Sequence, residues 1–482
     1  MMNYKKLFGV LCLGMLPFLV NAQPKLAALF TDNLVLQQQS TVQVWGWDKP
    51  TAVLTLTNNW DKKPYKATAG ADGKFIFTIP TPGAGGPYTL TITDGKAVTL
   101  TNILIGEVWM CMGQSNMEMP MKGFKGQPIF GSTEAILSSE KKNIRLFTIP
   151  RSSKTEMQQD AKASKWLEAT PETVSNFSAT GYYFGRMVNK LLNVPVGLIH
   201  CSYSGSSIQA WMDAKTLGAF PEIKIPAPTD SIKEVSRTPT TLYNGMLFPV
   251  IRYSVKGAIW YQGESNYSEP AQYDKLFPTF VAMLRRQWGE GDFPFYYAQI
   301  APYDYAQLPP YNKGGKYNSA YLRDVQRTEA DKIPNAGMAV LMDIGEQATI
   351  HPPRKDMAGT RMAYLALAKT YGIKGFEFES PEYDNITIKN DQAIIKFKNA
   401  FNGITANLKE LTTFEIAGDD KHFYPAKAVL SGSSVTVTSP QVKNPIAVRY
   451  AFRDFVVGEL FGVDGLPVSS FRTDDWDYND AK

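Results

Sequence analysis

The chain has 482 residues, of which 44% are hydrophobic, 12% aromatic and 20% charged, and its formal net charge is +5. This length exceeds one ordinary domain and the composition can fill a large core, so we expect two to three globular domains. The net charge is small for this size, and no Lys/Arg block is interleaved with aromatic residues. A nucleic-acid partner is therefore not expected.

The first 22 residues have the pattern of a secretory signal peptide. A short basic segment precedes an apolar run from Leu7 to Val20, and small residues up to Ala22 precede the expected cleavage site. The apolar run is short for a bilayer span, and no other uninterrupted run of about 18 apolar residues follows. We predict a cleavable leader over residues 1–22, no membrane anchor after cleavage, and a bacterial periplasmic or secreted protein.

Secondary-structure patterns divide the rest of the chain into three regions. Residues 23–105 contain short alternating runs such as Val42–Trp47, which are typical of a β-sandwich. Residues 106–375 alternate apolar strand-like runs with helical patterns such as Gln272–Trp288, which predicts parallel βαβ units. The β pattern returns over residues 376–482, and we expect this region to pack with the N-terminal sandwich as one accessory module.

The most informative local feature is a serine at the end of a hydrophobic run. Ser115 follows Trp109–Met112 within the polar turn Gly113–Asn116, so its hydroxyl would stand at the edge of a rigid element. A serine nucleophile needs this position, within reach of a base and of backbone N–H donors. The same turn also occurs as a plain helix cap, so the tetrapeptide needs support from the rest of the chain.

Histidines are scarce enough to make the search for a base short. The chain has three, which are His200, His351 and His422. His351 lies in a polar loop between an apolar run ending at Met342 and a helical pattern beginning at Met357, where it can reach a neighbouring active-site edge. His200 ends a strand-like run and His422 falls in the late β region, so we expect His351 to be the base.

Two polar segments that follow strand-like runs offer donors for an oxyanion. Gly205 lies in a Ser/Gly turn, and Gln262 follows Trp260–Tyr261. A glycine N–H and a side-chain amide are usual donors for the negative charge that develops in acyl transfer. A flexible turn and a solvated loop are the alternative interpretations. The occurrence of both segments after successive predicted strands favours a shared site.

The cysteine and histidine content predicts neither a disulfide framework nor a metal site. Cys12 leaves with the leader, and Cys111 and Cys201 remain. We expect these two to be buried thiols rather than a bridge. No set of residues has metal-ligand spacing, and no cofactor is expected.

Together these segments resemble the sialate O-acetylesterases of the SGNH-hydrolase superfamily. The blocks, in the family's order, are Gly113–Met119, Ser204–Ser206 with Trp211, Trp260–Asn266, and Ile350–Pro352 with Lys355 and Arg361. The third block matches in full, and the resemblance covers essentially the whole mature chain. It implies a flavodoxin-like SGNH-hydrolase parallel sheet flanked by helices, with accessory β-sandwich regions at both ends of the chain. Ser204 stands where the family usually has a glycine, which a negative φ would tolerate.

The resemblance implies a role for each chemically important residue. The nucleophile would be Ser115, the base His351, and the oxyanion donors the Ser115 N–H, the Gly205 N–H and the Gln262 side chain. Asn116 and Glu264 would support the site by fixing the turn and the Gln262 amide. Solvent-exposed loop residues are the alternative interpretation of these two.

The carboxylate that usually orients the histidine is missing from its expected place. Many SGNH hydrolases have an aspartate three residues before the histidine, where this chain has Ala348, and many relatives show Asp-Ile-His, where it has Thr349. Asp343 and Glu346 are the nearest acids, and Asp343 is the better placed, although a backbone carbonyl could also fix the ring. We therefore expect a Ser-His dyad with Asp343 as a candidate third member. Capping of the loop that follows the strand-like run is the alternative role for Asp343.

These roles predict a carbohydrate O-acetylesterase whose partner is an O-acetylated carbohydrate. The resemblance points to O-acetyl sialic acid, yet the same blocks serve relatives that act on acetylated xylan and other plant glycans. A cation near the site would favour sialate by pairing its carboxylate, and Arg323, Arg354 and Arg361 are available. A non-catalytic carbohydrate-binding protein on a hydrolase scaffold is the alternative from another class. The oligomeric state is not predicted.

Overall fold

The computed structural model describes residues 23–307 and 318–476. The predicted leader, residues 1–22, lies outside the described residues. Within the two described ranges, no helix is long and apolar enough to cross a membrane.

The N-terminal region is built from short strands that share one core. Its strands are β1 (Lys25–Leu26), β2 (Val35–Gln37), β3 (Thr41–Trp47), β4 (Val53–Asn58), β5 (Tyr65–Thr68), β6 (Lys74–Pro80), β7 (Gly85–Thr93) and β8 (Ala97–Gly113). β3 pairs antiparallel with β1 and β6, while β7 pairs antiparallel with β4 and β8, so two sheets form. In β6, Phe75, Phe77 and Ile79 are buried and the residues between them are exposed, which is the alternation that a half-buried strand requires.

One long strand joins this region to the rest of the protein. β8 has 17 residues, of which the first half pairs with β7 and β2. Its second half, from Glu107 to Gly113, is the centre of a parallel sheet. The domain boundary predicted between residues 105 and 106 therefore falls inside one continuous strand.

The central sheet is parallel, as the alternating pattern predicts. After β8, its strands are β9 (Lys141–Thr148), β10 (Leu167–Ala169), β11 (Val196–Ser202), β12 (Gly257–Tyr261), β13 (Phe295–Ala298) and β14 (Ala336–Ala339). The hydrogen-bonded order is β10-β9-β11-β8-β12-β13-β14, and only β10 runs antiparallel to its neighbour. Without β10, the strands counted along the chain from β8 follow the order 2-3-1-4-5-6, because β11 lies between β8 and β9 and pairs with both. The mixed α/β class is confirmed. The five adjacent strands β11-β8-β12-β13-β14, numbered by themselves along the chain, have the 2-1-3-4-5 order of flavodoxin-like sheets, and β9 and β10 extend the sheet beyond β11.

Helices cover both faces of the central sheet. They are α1 (Ser115–Glu118), α2 (Ser132–Leu137), α3 (Pro171–Ser175), α4 (Ala179–Leu192), α5 (Ala214–Leu217), α6 (Pro270–Trp288), α7 (Ala320–Lys332) and α8 (Lys355–Leu365). Alternate residues of β8 face opposite layers, since Trp109 and Cys111 pack with α4 and α8 while Met110 and Met112 pack with α6 and α7. Cys111 and Cys201 are both buried free thiols.

The carboxyl ends of three adjacent strands meet at one edge of this sheet. Gly113 of β8 lies opposite Ser202 of β11 on one side and Tyr261 of β12 on the other. The three sequence blocks that follow these strands therefore start side by side. Open parallel sheets bind their ligands at this edge, so the fold fixes where the candidate site must lie.

The C-terminal region is again made of strands. They are β15 (Glu382–Lys389), β16 (Gln392–Lys398), β17 (Ile404–Thr405), β18 (Phe414–Ala417), β19 (Phe423–Pro425), β20 (Lys427–Ser431), β21 (Ser434–Thr438), β22 (Ala447–Tyr450), β23 (Phe461–Gly462) and β24 (Phe471–Arg472). They form two four-stranded sheets and one two-stranded sheet.

The position of this C-terminal region differs from the sequence-based expectation. Its core includes Val340 and Met342, which follow β14, and no described residue of the N-terminal strands. Ion pairs from α7, Arg327 with Glu382 at 3.0 Å and Asp324 with Arg472 at 3.1 Å, extend the contact. The region thus packs on the edge of the central sheet that ends in β14, which is three strands from β8. It does not pack with the N-terminal strands as one module.

Candidate functional site

Ser115 lies in a turn whose shape depends on a glycine. Gly113 has φ +139°, and a Cβ at this position would lie 2.1 Å from the carbonyl oxygen of Tyr261. Gln114 then donates its N–H to the same carbonyl at 3.0 Å, and the chain enters α1 at Ser115. Because the turn is held against β12, the serine is placed directly above the centre of the sheet.

The side chain of His351 is held in one tautomer by an amide. Its Nδ1 lies 2.6 Å from Oε1 of Gln127, and an amide oxygen can only accept a hydrogen bond. Nδ1 must therefore carry the proton, which leaves the lone pair on Nε2. The ring of Phe124 contacts the imidazole edge to face, with 5.3 Å between the ring centroids. Nε2 is thus the atom that can act as a base.

Burial keeps the imidazole of His351 neutral. Its pKa is lowered to about 4, mainly because burial disfavours the charged ring and also because the ammonium group of Lys355 is nearby. At neutral pH the ring is therefore deprotonated at Nε2. That is the protonation state that a general base requires.

A buried side-chain network joins the serine loop to the histidine loop. Asn116 donates through Nδ2 to the carbonyl oxygen of Ile350 at 3.1 Å and to Oε1 of Glu264 at 2.5 Å. Its own Oδ1 accepts from the ammonium of Lys355 at 2.5 Å. Since Asn116 follows Ser115 and Ile350 precedes His351, this network sets the spacing of the two residues. No hydrogen bond joins Ser115 Oγ to the imidazole within the described residues, and catalytic hydrogen bonds often tighten only with substrate bound.

Two ionisable groups of this network are completely enclosed. Burial lowers the pKa of Lys355 to about 7, against the opposing effect of Glu264. Burial likewise raises the pKa of Glu264, whose Oε2 has no hydrogen-bond partner among the described residues. Glu264 was expected to help fix the amide of Gln262, whereas in the structure its carboxylate accepts a hydrogen bond from Asn116.

The carboxylate of Asp343 is paired with an arginine. Its two carboxylate oxygens accept from Nη1 and Nη2 of Arg361 at 2.7 and 2.6 Å. Neither Asp343 nor the exposed Glu346 is hydrogen-bonded to His351 in the described part of the chain, where Gln127 occupies the Nδ1 position instead. The arrangement therefore differs from the expectation of Asp343 as a candidate third member, because its carboxylate is paired with Arg361 and the Nδ1 position of His351 is taken by Gln127.

Two backbone N–H groups are available to an oxyanion. Those of Ser115 and Gly205 have no hydrogen-bond partner among the described residues. Gly205 has φ +72° and follows β11, in the turn that begins where the N–H of Tyr203 donates to the carbonyl of Gly113 at 3.1 Å. Both predicted backbone donors thus lie in loops that leave neighbouring strands at the same edge.

The amide of Gln262 is used inside the protein. Its Nε2 donates to the carbonyl of Ser206 at 3.1 Å and to Oδ1 of Asn266 at 2.7 Å, and its Oε1 accepts from the hydroxyl of Tyr273. The side chain is fully buried. In this arrangement both amide hydrogens are already taken, so Gln262 holds the turn after Gly205 and does not present a free donor.

Ser204 replaces the usual glycine without backbone strain. Ser204 is not among the described residues of positive φ, so a serine fits at this position in place of the glycine, as expected. Its N–H donates to Oε2 of Glu118 at 2.7 Å, and its hydroxyl donates to the same oxygen. Glu118 also binds the guanidinium of Arg151 through both oxygens, each at 2.6 Å. The serine side chain therefore fastens the turn before Gly205 to the end of α1.

The remaining histidines lie outside this arrangement. His200 is buried, is hydrogen-bonded to the hydroxyl of Ser202, and has its pKa lowered to about 4 mainly by burial. The ring of His422 contacts that of Tyr424 edge to face in the C-terminal region. No group of three or more His, Cys, Asp or Glu side chains within residues 23–307 and 318–476 could hold a metal ion.

Comparison with known proteins decides the family. The family model for carbohydrate esterases described as sialic acid-specific acetylesterases matches residues 105–352. The chain belongs to this family. Ser115, Gly205, Gln262 and His351 all lie within the matched range. The resemblance to the sialate O-acetylesterases is thereby confirmed.

Relatives of the acetylesterase family extend the likeness beyond the matched range. The chain is 26% identical over 465 residues to the sialate O-acetylesterases of Pongo abelii and Homo sapiens, covering 89% of this chain and 87% of each relative. A solved structure of a carbohydrate acetylesterase from Xanthomonas citri is 32% identical, with a TM-score of 0.85, covering 94% of this chain and 100% of that one. The N-terminal and C-terminal regions are therefore part of the shared architecture.

Two residues of this acetylesterase-family site were not found from sequence. Gln127 lies 224 residues before His351 and belongs to no sequence motif that would identify it. Lys355 was noted only as a member of the last block, while its buried ammonium proves to hold Asn116. Membership of that block was the one available signal for Lys355.

Proposed function

We propose that this protein is a serine esterase that removes O-acetyl groups from carbohydrates, with O-acetylated sialic acid as the preferred substrate. The observation that carries the proposal is the neutral imidazole of His351, with its proton held on Nδ1 by Gln127. This leaves Nε2 as a base in the loop that Asn116 ties to Ser115. The family match and the sialate O-acetylesterase relatives support the substrate.

The first half of the reaction makes an acetyl-enzyme. Ser115 Oγ attacks the carbonyl carbon of the acetyl ester while Nε2 of His351 takes the hydroxyl proton. The oxyanion of the tetrahedral intermediate accepts hydrogen bonds from the N–H groups of Ser115 and Gly205, and removing one such donor typically costs about 3 kcal/mol. The intermediate collapses as the imidazolium returns its proton to the departing sugar oxygen.

The second half returns the enzyme to its starting state. Water gives a proton to Nε2 of His351 and attacks the acetyl carbonyl, and the same donors hold the second oxyanion. Collapse releases acetate and returns the proton to Ser115. Gln127 stabilises the imidazolium in both halves by accepting from Nδ1 through a neutral oxygen, which is a weaker acceptor than a carboxylate.

The wider class of carbohydrate acetylesterase is the second candidate. The similarity to the Xanthomonas citri carbohydrate acetylesterase favours it, since that protein's description is not limited to sialate. Acetylated xylan and other plant glycans are the candidate substrates of this class. The predicted leader over residues 1–22 would bring the enzyme to such glycans outside the cytoplasm.

The test compares three proteins on three substrates. Wild type, Ser115→Ala and the control Ser175→Ala, at a half-buried serine on α3, are incubated with 4-nitrophenyl acetate, 9-O-acetyl sialic acid and acetylated xylan, and acetate release is followed. We expect release by wild type and the control and none above background by Ser115→Ala. Equal release by all three proteins would reject the serine mechanism, and a preference for xylan would move the second candidate to the front.

A further inference from the structure

The turn that supplies the Gly205 donor is flanked by two arginines. The guanidinium of Arg151 stacks on the ring of Tyr203, 4.6 Å from its centroid, at the start of the turn. At the end of the turn, Nε of Arg237 donates to the carbonyl oxygen of Gly205 at 3.4 Å. Two cations therefore border the loop whose N–H faces the proposed oxyanion.

Of these two arginines, only Arg237 lacks a carboxylate partner among the described residues. Arg151 uses Nε and Nη2 to hold both oxygens of Glu118. For Arg237, no carboxylate within ion-pair distance and no partner of Nη1 or Nη2 is found among the described residues. Its side chain is exposed, and its own carbonyl accepts from the hydroxyl of Ser207 at 3.2 Å, which ties the segment to the oxyanion turn.

The arginines that the sequence offered as carboxylate partners are all engaged elsewhere. Arg361 holds Asp343, and Arg354 pairs with Asp356 at 2.8 Å. Arg323 is fully buried and donates to backbone carbonyls of the C-terminal region. None of the three can serve a substrate without breaking an existing contact.

We propose that Arg237 binds the carboxylate of an anionic sugar and thereby selects sialate over neutral acetylated glycans. This inference rests on the proposed esterase function. A guanidinium presents two parallel N–H donors that match a carboxylate, and the open edge of Arg237 is placed to do so. Nε of Arg237 donates to the carbonyl oxygen of Gly205, whose N–H is a proposed oxyanion donor. A carboxylate bound by this guanidinium therefore lies close to the reacting ester and can belong to the same sugar. A xylan chain carries no carboxylate on its xylose units and gains nothing from this contact.

The experiment separates the contribution of the sugar's carboxylate to activity from that of the rest of the sugar. Wild type, Arg237→Gln, Arg237→Lys and the control Lys233→Gln, at an exposed cation on the same segment, are assayed for acetate release. The substrates are 9-O-acetyl sialic acid and its neutral 1-carboxamide analogue, and kcat and KM are measured separately. 4-Nitrophenyl acetate with Ser115→Ala as reference reports on the esterase itself.

The expected result is a loss that depends on substrate charge. Arg237→Gln lowers kcat/KM for the acid by about 10- to 100-fold, mainly through KM, as loss of a charge-assisted contact predicts. The loss on the carboxamide is at least about tenfold smaller, Arg237→Lys lies between, and Lys233→Gln matches wild type. A circular dichroism spectrum equal to that of wild type excludes misfolding as the cause.

Other outcomes overturn the inference in distinguishable ways. Equal losses on the acid and the carboxamide, or a wild type that does not prefer the acid, would remove Arg237 as the carboxylate ligand. Serine-dependent release from 4-nitrophenyl acetate but from neither sugar would overturn the substrate class and leave the esterase in place. No serine-dependent release from any substrate would overturn the proposed function itself.

Discussion

Replacing Gln127 by Glu should raise the pKa of His351 and move the acid limb of the activity profile. In wild type the Nδ1 proton meets a neutral amide oxygen at 2.6 Å, and the pKa is lowered to about 4. The variant places a carboxylate at the same position. An opposite charge favours the imidazolium, so the base becomes stronger.

The size of the effect follows from the geometry. With the charge centres about 4 Å apart and an effective dielectric constant of about 20, the attraction is about 4 kcal/mol, equivalent to about 3 pKa units. Gln127 is only partly buried, and solvent screening reduces this to about 1 to 2 units. The pKa of His351 should therefore rise to about 5 to 6 in Gln127→Glu.

The assay measures kcat/KM for hydrolysis of 4-nitrophenyl acetate as a function of pH, with acetate release as the readout. His351 must be neutral to accept a proton, so activity falls as the pH drops through its pKa, near 4 in wild type and higher in Gln127→Glu. Above the shifted limb the variant should be at least as active as wild type. Gln127→Ala should lose activity by about tenfold without an upward shift, since the tautomer is no longer held. An unmoved limb in a folded Gln127→Glu protein would refute the assignment of Nε2 as the base.

Two further changes test the neighbouring charges. Asp343→Asn should leave turnover within about threefold of wild type, because the carboxylate contacts Arg361 rather than His351, but lower the free energy of unfolding by about 3 kcal/mol in a denaturant titration. A large loss of turnover with unchanged stability would restore Asp343 to the catalytic group. Lys355→Met should raise the pKa of His351, since the ammonium is one of the two causes that lower it, and the acid limb should move upward. A downward shift of that limb would contradict the charge assignment.

Sequence patterns were sufficient to predict individual helices and strands. The helical pattern predicted over Gln272–Trp288 corresponds to α6, Pro270–Trp288, because a continuous apolar stripe requires a helix whatever packs against it. The strand-like run predicted over Val42–Trp47 lies within β3, Thr41–Trp47. Strict alternation buries one face and leaves the other to solvent, so it fixes the element type locally.

Packing between regions could not be predicted in the same way. The C-terminal strands carry alternating residues that would suit any apolar face, and the sequence-based expectation placed them against the N-terminal sandwich. In the structure they cover Val340 and Met342 beyond β14. Hydrophobic burial is non-directional, so the pattern determines that a face is buried but not which partner buries it.

The sequence by itself determined the turn at Ser115, the proposed nucleophile, the loop that carries His351, and the edge of the sheet where both would lie, because these depend on local pattern and strand ends. Only the tertiary structure decided the partners of each polar group: Gln127 for His351, Arg361 for Asp343, and the carbonyl of Ser206 for Gln262. A buried polar atom takes whichever complementary atom the fold brings within about 3 Å, and sequence separation places no limit on where that atom comes from.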